Sequence, residues 1–264
     1  MQAMLKGVWR YRAFVVSSVA AELNNRVNRS RLGILWLVIS PLVQVAIFAL
    51  ILSAIMRGRI PGIDNQFAYA IYLMAGFLPW YLFTEIVTRC STMFIENANA
   101  MKKIVFPKVT LPVVIAAIAI INNLIFFLAV TLVYLALGHG LSLATLWLPL
   151  LILVNTGLAT GLGVILGTLN VFIRDVGQMV PIFIQFGFWF TPIVYTANII
   201  PEAYRGALYL NPIYWIVAVH RDVLVFKQAP DPLTLFCLVV LTLIVGALGM
   251  FMFKRASPEM VDVL

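Results

Sequence analysis

Long apolar runs separated by short polar segments make up most of the chain. Each run reaches the roughly 20 residues that an α-helix needs to cross the hydrocarbon core of a bilayer. Side chains within the runs do not alternate between apolar and polar, so membrane β-strands are excluded. The pattern predicts six membrane-spanning helices, at about residues 33–56, 67–90, 109–137, 141–169, 176–196 and 233–253.

A basic amphipathic segment, residues 1–32, precedes the first run. Apolar residues recur there at helical spacing, and arginines and lysines lie between them. This pattern predicts a helix lying along an anionic membrane surface. The alternative is a solvated basic leader, which the persistence of the apolar stripe over several turns disfavours.

A polar, basic segment separates the second and third runs. It is ENANAMKKIVFPKVTLP, residues 96–112. Residues 101–106 predict one or two helical turns that end at Pro107. A docking helix needs an apolar anchor and a polar rim. Met101, Ile104 and Phe106 fit the anchor, and Glu96, Lys102 and Lys103 fit the rim. The alternative is an ordinary positively charged loop.

Two features inside the runs predict helix contacts. Gly157, Gly161, Gly163 and Gly167 form two GxxxG pairs in the fourth run, and such small residues let helices approach closely. In the second run, Glu85 and Arg89 are four residues apart, which places them on one helical face as an ion pair.

Residues 197–232 do not form a complete span. The stretch 211–226, NPIYWIVAVHRDVLVF, begins with Asn-Pro, a common helix start. It is too short to cross a membrane and carries Arg221 and Asp222. A surface helix or a re-entrant half-helix fits this pattern.

Composition makes lipid the solvent for most of the chain. Of 264 residues, 63% are hydrophobic and 11% are charged, and the mean hydropathy is +1.03. A soluble domain carries about 25% charged residues. The fold class is therefore an all-α polytopic membrane protein.

The net charge of +8 is explained by topology rather than by nucleic acid. If the N-terminus lies inside, thirteen of the 18 lysines and arginines fall on the inner side and five on the outer side. This imbalance predicts that both termini are cytoplasmic and that the number of crossings is even. Residues 96–112 then lie in the cytoplasm. No soluble basic domain is present to bind nucleic acid.

Energy-supplying chemistry is absent from the sequence. The phosphate-binding pattern GxxxxGK[ST] does not occur, nor does a His/Cys metal motif or a nucleophile with its base. The spans are nearly free of ionisable groups, which ion-coupled carriers usually bury. We therefore expect a permease powered by another protein, not an enzyme, with no cofactor or metal of its own.

Five segments, in order along the chain, resemble the ABC-2 family, specifically its polysaccharide export permeases for O-antigen, capsule and teichoic acid. They are the ELNNRVNRSRLGILWLVISPLVQVAIFALI stretch at 22–51, MAGFLPWYLF at 74–83, residues 96–112, IRDVGQMVP at 173–181, and LNPIYWIVAVHRDVLVF at 210–226.

The resemblance implies an assembly in the bacterial inner membrane. It consists of a homodimer of this chain with two copies of a cytoplasmic ABC ATPase, which binds ATP and Mg²⁺. The substrate is a lipid-linked polysaccharide moved outward. The coupling segment is 92–108, with Glu96, Asn97, Met101, Lys102, Lys103, Ile104 and Phe106 contacting the ATPase.

The resemblance also implies re-entrant helices within 197–226 that gate the outer end of a pore between protomers. The gate residues are Asn211, Pro212, Tyr214, Trp215 and Arg221, and the cytoplasmic turn between spans carries Arg174 and Asp175. Aromatic residues that stack on sugar rings are Phe77, Trp80, Tyr81, Trp189, Phe190 and Tyr195. The alternative for each aromatic is packing against lipid or another helix.

Three other functions remain open. They are an ABC-2 exporter of a drug or another lipid, an ion-coupled carrier acting alone, and a membrane enzyme acting on lipid-linked sugars. The enzyme would need interfacial carboxylates, for which Glu85 and Asp175 are available.

Overall fold

The computed structural model describes residues 11–29, 35–55, 67–103 and 108–263, and within these ranges the fold is all-helical, without a strand. The described helices follow each other in the order α1 (Arg12–Arg29), α2 (Trp36–Ile55), α3 (Ala68–Glu96), α4 (Ala98–Lys103), α5 (Thr110–Ala136), α6 (Leu148–Phe172), α7 (Asp175–Phe190), α8 (Glu202–Tyr209), α9 (Pro212–Leu224), α10 (Pro232–Ala256) and α11 (Met260–Val263), with 3₁₀ turns at Leu143–Trp147 and Ala197–Ile199.

Within the described residues, four helices are long and apolar enough to cross a membrane: α3, α5, α6 with its preceding 3₁₀ turn, and α10. The chain is therefore an integral membrane protein. The arrangement of six crossings stays a prediction, as do the interfacial position of α1 and the re-entrant path of α8 and α9.

The C-terminal ends of α3 and α7 differ most from those of the predicted spans. Helix α3 continues beyond residue 90 to Glu96, so residues 92–96 of the predicted coupling segment belong to it. Helix α7 ends at Phe190 instead of 196. Thr191 adopts an extended backbone and Pro192 cannot donate a helical hydrogen bond, which explains the early end. Its 16 residues span only about 24 Å.

Helix α6 lies at the centre and packs along both α3 and α10. Its two glycine pairs face different neighbours. A Cβ on Gly161 would lie 2.9 Å from the backbone nitrogen of Gly246 in α10, and one on Gly163 would lie 2.5 Å from the Cβ of Cys90 in α3. The predicted close helix approach is confirmed, because backbone-to-backbone contact there depends on missing side chains.

The helices define two ends of the bundle. Helices α3, α6 and α10 finish, and α5 and α7 start, at the basic end, which carries Lys102, Lys108, Arg174, Lys254 and Arg255. The opposite end holds the turn after α5, where Gly138 adopts a φ of 74°. His139 Nε2 in this turn lies 2.8 Å from the carbonyl oxygen of Leu224, at the end of α9.

Asp231 starts α10 at the opposite end as its N-cap. Its carboxylate accepts hydrogen bonds from the Thr234 backbone N–H at 2.8 Å and from the Thr234 hydroxyl at 2.7 Å. These bonds hold the pKa of Asp231 below its usual range. The negative charge of the ionised carboxylate also stabilises α10, because the N-terminal end of a helix carries a partial positive charge.

Candidate functional site

The predicted coupling segment forms a corner at the basic end. Asn97 caps α3: its backbone N–H and its side-chain amide donate to the carbonyl of Met93 at 3.2 and 2.8 Å. The Asn97 carbonyl in turn accepts from the Met101 N–H at 2.9 Å in α4. Asn97 therefore joins the end of α3 to the short helix that follows.

Helix α4 presents a polar face outward. Asn99 and Lys102 are exposed on it, and so is Glu96, the last residue of α3. Met101, predicted as part of the apolar anchor, is only 8% exposed and belongs to the buried core of the chain itself. The side chain of Lys103 is not described, and Ile104 and Phe106 lie outside the described residues.

The end of α10 is tied to this corner. The Lys108 ammonium donates to the Ser257 carbonyl at 2.6 Å, where the C-terminus of α10 leaves carbonyls without helical partners. Phe94 of α3 stacks on Phe253 of α10 with ring centroids 5.5 Å apart. Helix α11 packs against both α4 and α6.

The predicted cytoplasmic turn lies at the same end. Arg174 and Asp175 are exposed where α6 passes into α7, and Asp175 is the first residue of α7. Asn170 holds the turn, since its amide donates to the Ser91 carbonyl at 2.8 Å and its side-chain oxygen accepts from the Gly177 N–H at 3.0 Å.

A chain of polar contacts links α1, α3 and α5. Arg89 of α3 contacts Glu22 of α1 at 2.8 Å and Glu85 at 3.5 Å, which confirms the predicted pair within α3. Glu85 also accepts from the Asn122 amide of α5 at 2.6 Å. Glu85, Arg89 and Asn122 line a cavity of about 500 Å³ between α2, α3 and α5. Sequence reasoning missed the link to Glu22, because no local spacing relates residues on different helices.

We expect Arg89→Gln to loosen α1 from the bundle. The pairs are partly exposed, so the loss of stability is no more than about 1 kcal/mol. Unfolding in detergent, followed by size-exclusion chromatography after heating, measures this loss. Arg174→Gln is the control, since Arg174 is exposed at the same end. An equal shift for both variants would contradict a specific link.

A buried arginine organises the opposite end. Arg221 of α9 is 5% exposed and donates to the carbonyls of Pro192 and Ile193, at 2.7 Å each. Its guanidinium lies 3.6 Å above the ring of Tyr72 in α3. Space for it exists because residue 76 is glycine: a Cβ there would lie 2.7 Å from Arg221 Nη2.

Other donors hold the same segment. The Tyr69 hydroxyl of α3 donates to the Val194 carbonyl at 2.6 Å, and the Asn211 amide donates to the Thr191 hydroxyl at 2.9 Å. We call Tyr69, Asn211 and Arg221, together with the segment 191–194 that they hold, the outer clamp. Asn211 also caps α9 by accepting from the Ile213 N–H at 3.0 Å, which confirms the predicted helix start.

The sequence offered a weak signal for the outer clamp. Pro192 ends α7 and leaves carbonyls free, and an arginine in an apolar helix requires partners. Sequence reasoning treated Arg221 as a gate residue and did not identify the carbonyls it binds.

The predicted aromatic residues do not form one continuous surface in this chain. Phe77 and Trp80 are buried, with their ring centroids 5.9 and 5.7 Å from that of Phe188. The Tyr81 hydroxyl donates to the side-chain oxygen of Gln44. Trp189 and Phe190, by contrast, are exposed on α7, and the Tyr195 hydroxyl donates to the Trp189 carbonyl at 2.6 Å.

Of the remaining gate residues, Tyr214 and Trp215 join Tyr209 in a small ring cluster. The centroids of Tyr209 and Trp215 lie 5.4 Å apart, and those of Tyr214 and Trp215 lie 5.1 Å apart. Pro212 is the first residue of α9. The cluster fixes α8 against α9.

Comparison with known proteins identifies relatives of this chain over most of its length. The family model of the ABC-2 type transporter matches residues 14–225. An O-antigen export system permease protein, RfbA, from Klebsiella pneumoniae is 31% identical over 202 residues, 76% of each chain. A protein of the same name from Myxococcus xanthus is 24% identical over 97% of each chain.

The polysialic acid transport protein KpsM from Escherichia coli is 22% identical over 90% of this chain and 92% of its own length. The range of the family model, residues 14–225, includes α3, α4 and the outer clamp. These matches confirm the resemblance found in the sequence segments.

Proposed function

The chain belongs to the ABC-2 type transporter family, and from this we propose that it is the membrane-spanning permease subunit of an ATP-driven exporter of a lipid-linked polysaccharide. The observation that carries the proposal is the match along 97% of the chain to a protein named an O-antigen export system permease. Relatives named for O-antigen and for polysialic acid share one substrate class, which favours polysaccharide over a drug or another lipid.

The energy source in this proposal is a separate cytoplasmic ATPase. The sequence lacks its own phosphate-binding loop. Two copies of the ATPase, each with ATP and Mg²⁺, dock on a homodimer of this chain. The exposed Asn99 and Lys102 of α4, with Glu96 at the end of α3, support a docking role, because this surface is polar and lies at the end of a spanning helix.

The orientation follows from charge. The basic end faces the cytoplasm of a bacterial cell, the chain crosses the inner membrane six times, and both termini are cytoplasmic. The outer clamp then lies toward the outer face, where residues 197–226 gate the passage.

The polysaccharide passes along α7 in this proposal. Trp189 and Phe190 are exposed on this helix, and so are Gln178 and Gln185. Glutamine side chains are unfavourable toward lipid, whereas exposed aromatic rings and amides both suit sugars. These exposed groups support a face of α7 that lines a hydrophilic passage between two protomers.

An ion-coupled carrier acting alone is less well supported. It would use a carboxylate that binds and releases ions within a span. Glu85 is the suitable group, but Arg89 and Asn122 already contact it. Transport by the purified chain without an ATPase would favour this alternative.

Reversing Lys102 and Lys103 to Glu tests the docking role. We expect the protein to insert normally, while the amount of co-expressed ATPase that purifies with it and the export of polysaccharide both fall about tenfold, which corresponds to about 1.4 kcal/mol of binding. Lys227→Glu, at the opposite end, is the control. Unchanged ATPase retention and export in the double variant would contradict docking at α4.

A further inference from the structure

The docking helix α4 does not stand alone at the basic end. Residues 257–263, which follow α10, lie against it, and α11 packs on both α4 and α6. Met260 in α11 is fully buried, at 0% exposure, in the same core cluster as Met101. The two short helices therefore form one packed unit.

Three links fix this unit to the spanning helices. Lys108, after α4, donates to the Ser257 carbonyl at 2.6 Å. Phe94 and Phe253, both almost fully buried, stack between the last turns of α3 and α10, from which the unit continues. Asn97 joins α4 to α3. A displacement of α4 would consequently reach α3 and α10 together.

The outward surface of the unit is charged on both parts. From α4 and its junction, Glu96 and Lys102 are exposed; from α10 and the segment after it, Lys254, Arg255 and Glu259 are exposed. Cations exceed carboxylates among these five residues. This surface suits a partner whose contacting groove carries an excess of carboxylates.

We propose that α4 and residues 254–263 form one composite docking surface for the cytoplasmic ATPase subunit, so that the segment after the last span is a second contact for that partner. This inference rests on the proposed function. A membrane-surface role for Lys254 and Arg255 fits less well, because the buried Met260 holds the segment against α4 rather than extended along lipid.

Site-specific photo-crosslinking in membranes that contain both subunits tests this surface. The photoreactive residue replaces Asn99 or Lys102 on α4, Arg255 at the end of α10, or Glu259 in the segment after it. Leu143 and Leu210 at the opposite end are the control positions. Both controls are highly exposed. We expect crosslinks to the co-expressed ATPase from the first four positions and none from the controls.

The outcomes separate the two claims. The composite surface is overturned if the ATPase crosslinks to the Asn99 and Lys102 positions but not to the Arg255 and Glu259 positions. It is also overturned if the Arg255 and Glu259 positions crosslink only to lipid. The proposed function stands in both cases. Absence of crosslinks from all four positions overturns both.

A substitution in the packed interior tests whether α11 supports α4. Met260→Lys places a charge at a fully buried position, and we expect the crosslink yield from position 99 to fall at least fivefold. Val263→Lys is the control, since Val263 is 48% exposed on the same helix, and we expect less than a twofold change. Equal yields for the two variants would show that packing of α11 on α4 does not matter for docking.

Discussion

Arg221→Met is expected to reduce polysaccharide export by about an order of magnitude or more while the protein still reaches the membrane. Methionine keeps the unbranched stem of arginine but has no N–H groups, so the carbonyls of Pro192 and Ile193 lose their donors. Each buried carbonyl left unpaired costs about 1–3 kcal/mol. The segment after α7 should then leave its position against Tyr72. Export measured in cells, together with membrane abundance, checks this result.

Arg205→Met provides a matched control. Arg205 also donates to two carbonyls, those of Ile200 and Asn198, at 3.0 and 3.3 Å, but it is partly exposed. Water can replace its bonds, so we expect export close to that of the parent protein. Loss of export in both variants to the same extent would argue against a special role for the buried arginine.

A double-mutant cycle sharpens the test. Gly76→Ala should impair export by itself, because its Cβ would displace the Arg221 guanidinium. In the Arg221→Met background the same change should have little further effect, because the group it displaces is absent. Additive effects would contradict the proposed connection between Gly76 and the outer clamp.

The second large effect concerns the packing of α6. Gly161→Ala is expected to destabilise the bundle by about 1–3 kcal/mol, since the added methyl group meets the backbone of α10 and neither helix can move without disturbing the other. The free energy of unfolding in detergent, or the heating temperature at which the monodisperse peak is lost, measures this change.

Gly246→Ala is the control on the other side of the same contact. A Cβ on Gly246 would meet no atom within 4 Å, although Gly161 faces its backbone. Both substitutions change helix propensity equally, so the difference in stability between the two variants measures the effect of packing. A Gly246→Ala variant as unstable as Gly161→Ala would contradict the close approach seen between α6 and α10.

Much of this architecture could be predicted because its determinants are local. The cap formed by Asn211, the ion pair between Glu85 and Arg89, and the close-packing glycines of α6 all follow from residue types at fixed helical spacing. A short helix was also predicted in the polar, basic segment, at residues 101–106, and the structure has one at Ala98–Lys103. Its coupling role stays a prediction.

Other features depended on contacts between distant segments. The predicted anchor residue Met101 is buried within its own chain, and the side chains expected to line a pore are divided between the core and the exposed face of α7. Hydrophobic residues look alike in sequence whether they face lipid, a neighbouring helix or a partner. Helical spacing therefore identifies an apolar stripe without showing what covers it.

By itself the sequence determined that this chain is an α-helical membrane protein, because helices in lipid satisfy their backbone hydrogen bonds within each segment and the apolar runs are long enough to cross. That another protein supplies its energy stays a prediction. Only the tertiary structure decided that Arg221 binds the carbonyls after α7, that Arg89 joins α1 to α3, and that α11 packs against α4. Each of these contacts joins residues on different helices, and its geometry exists only after the helices have packed.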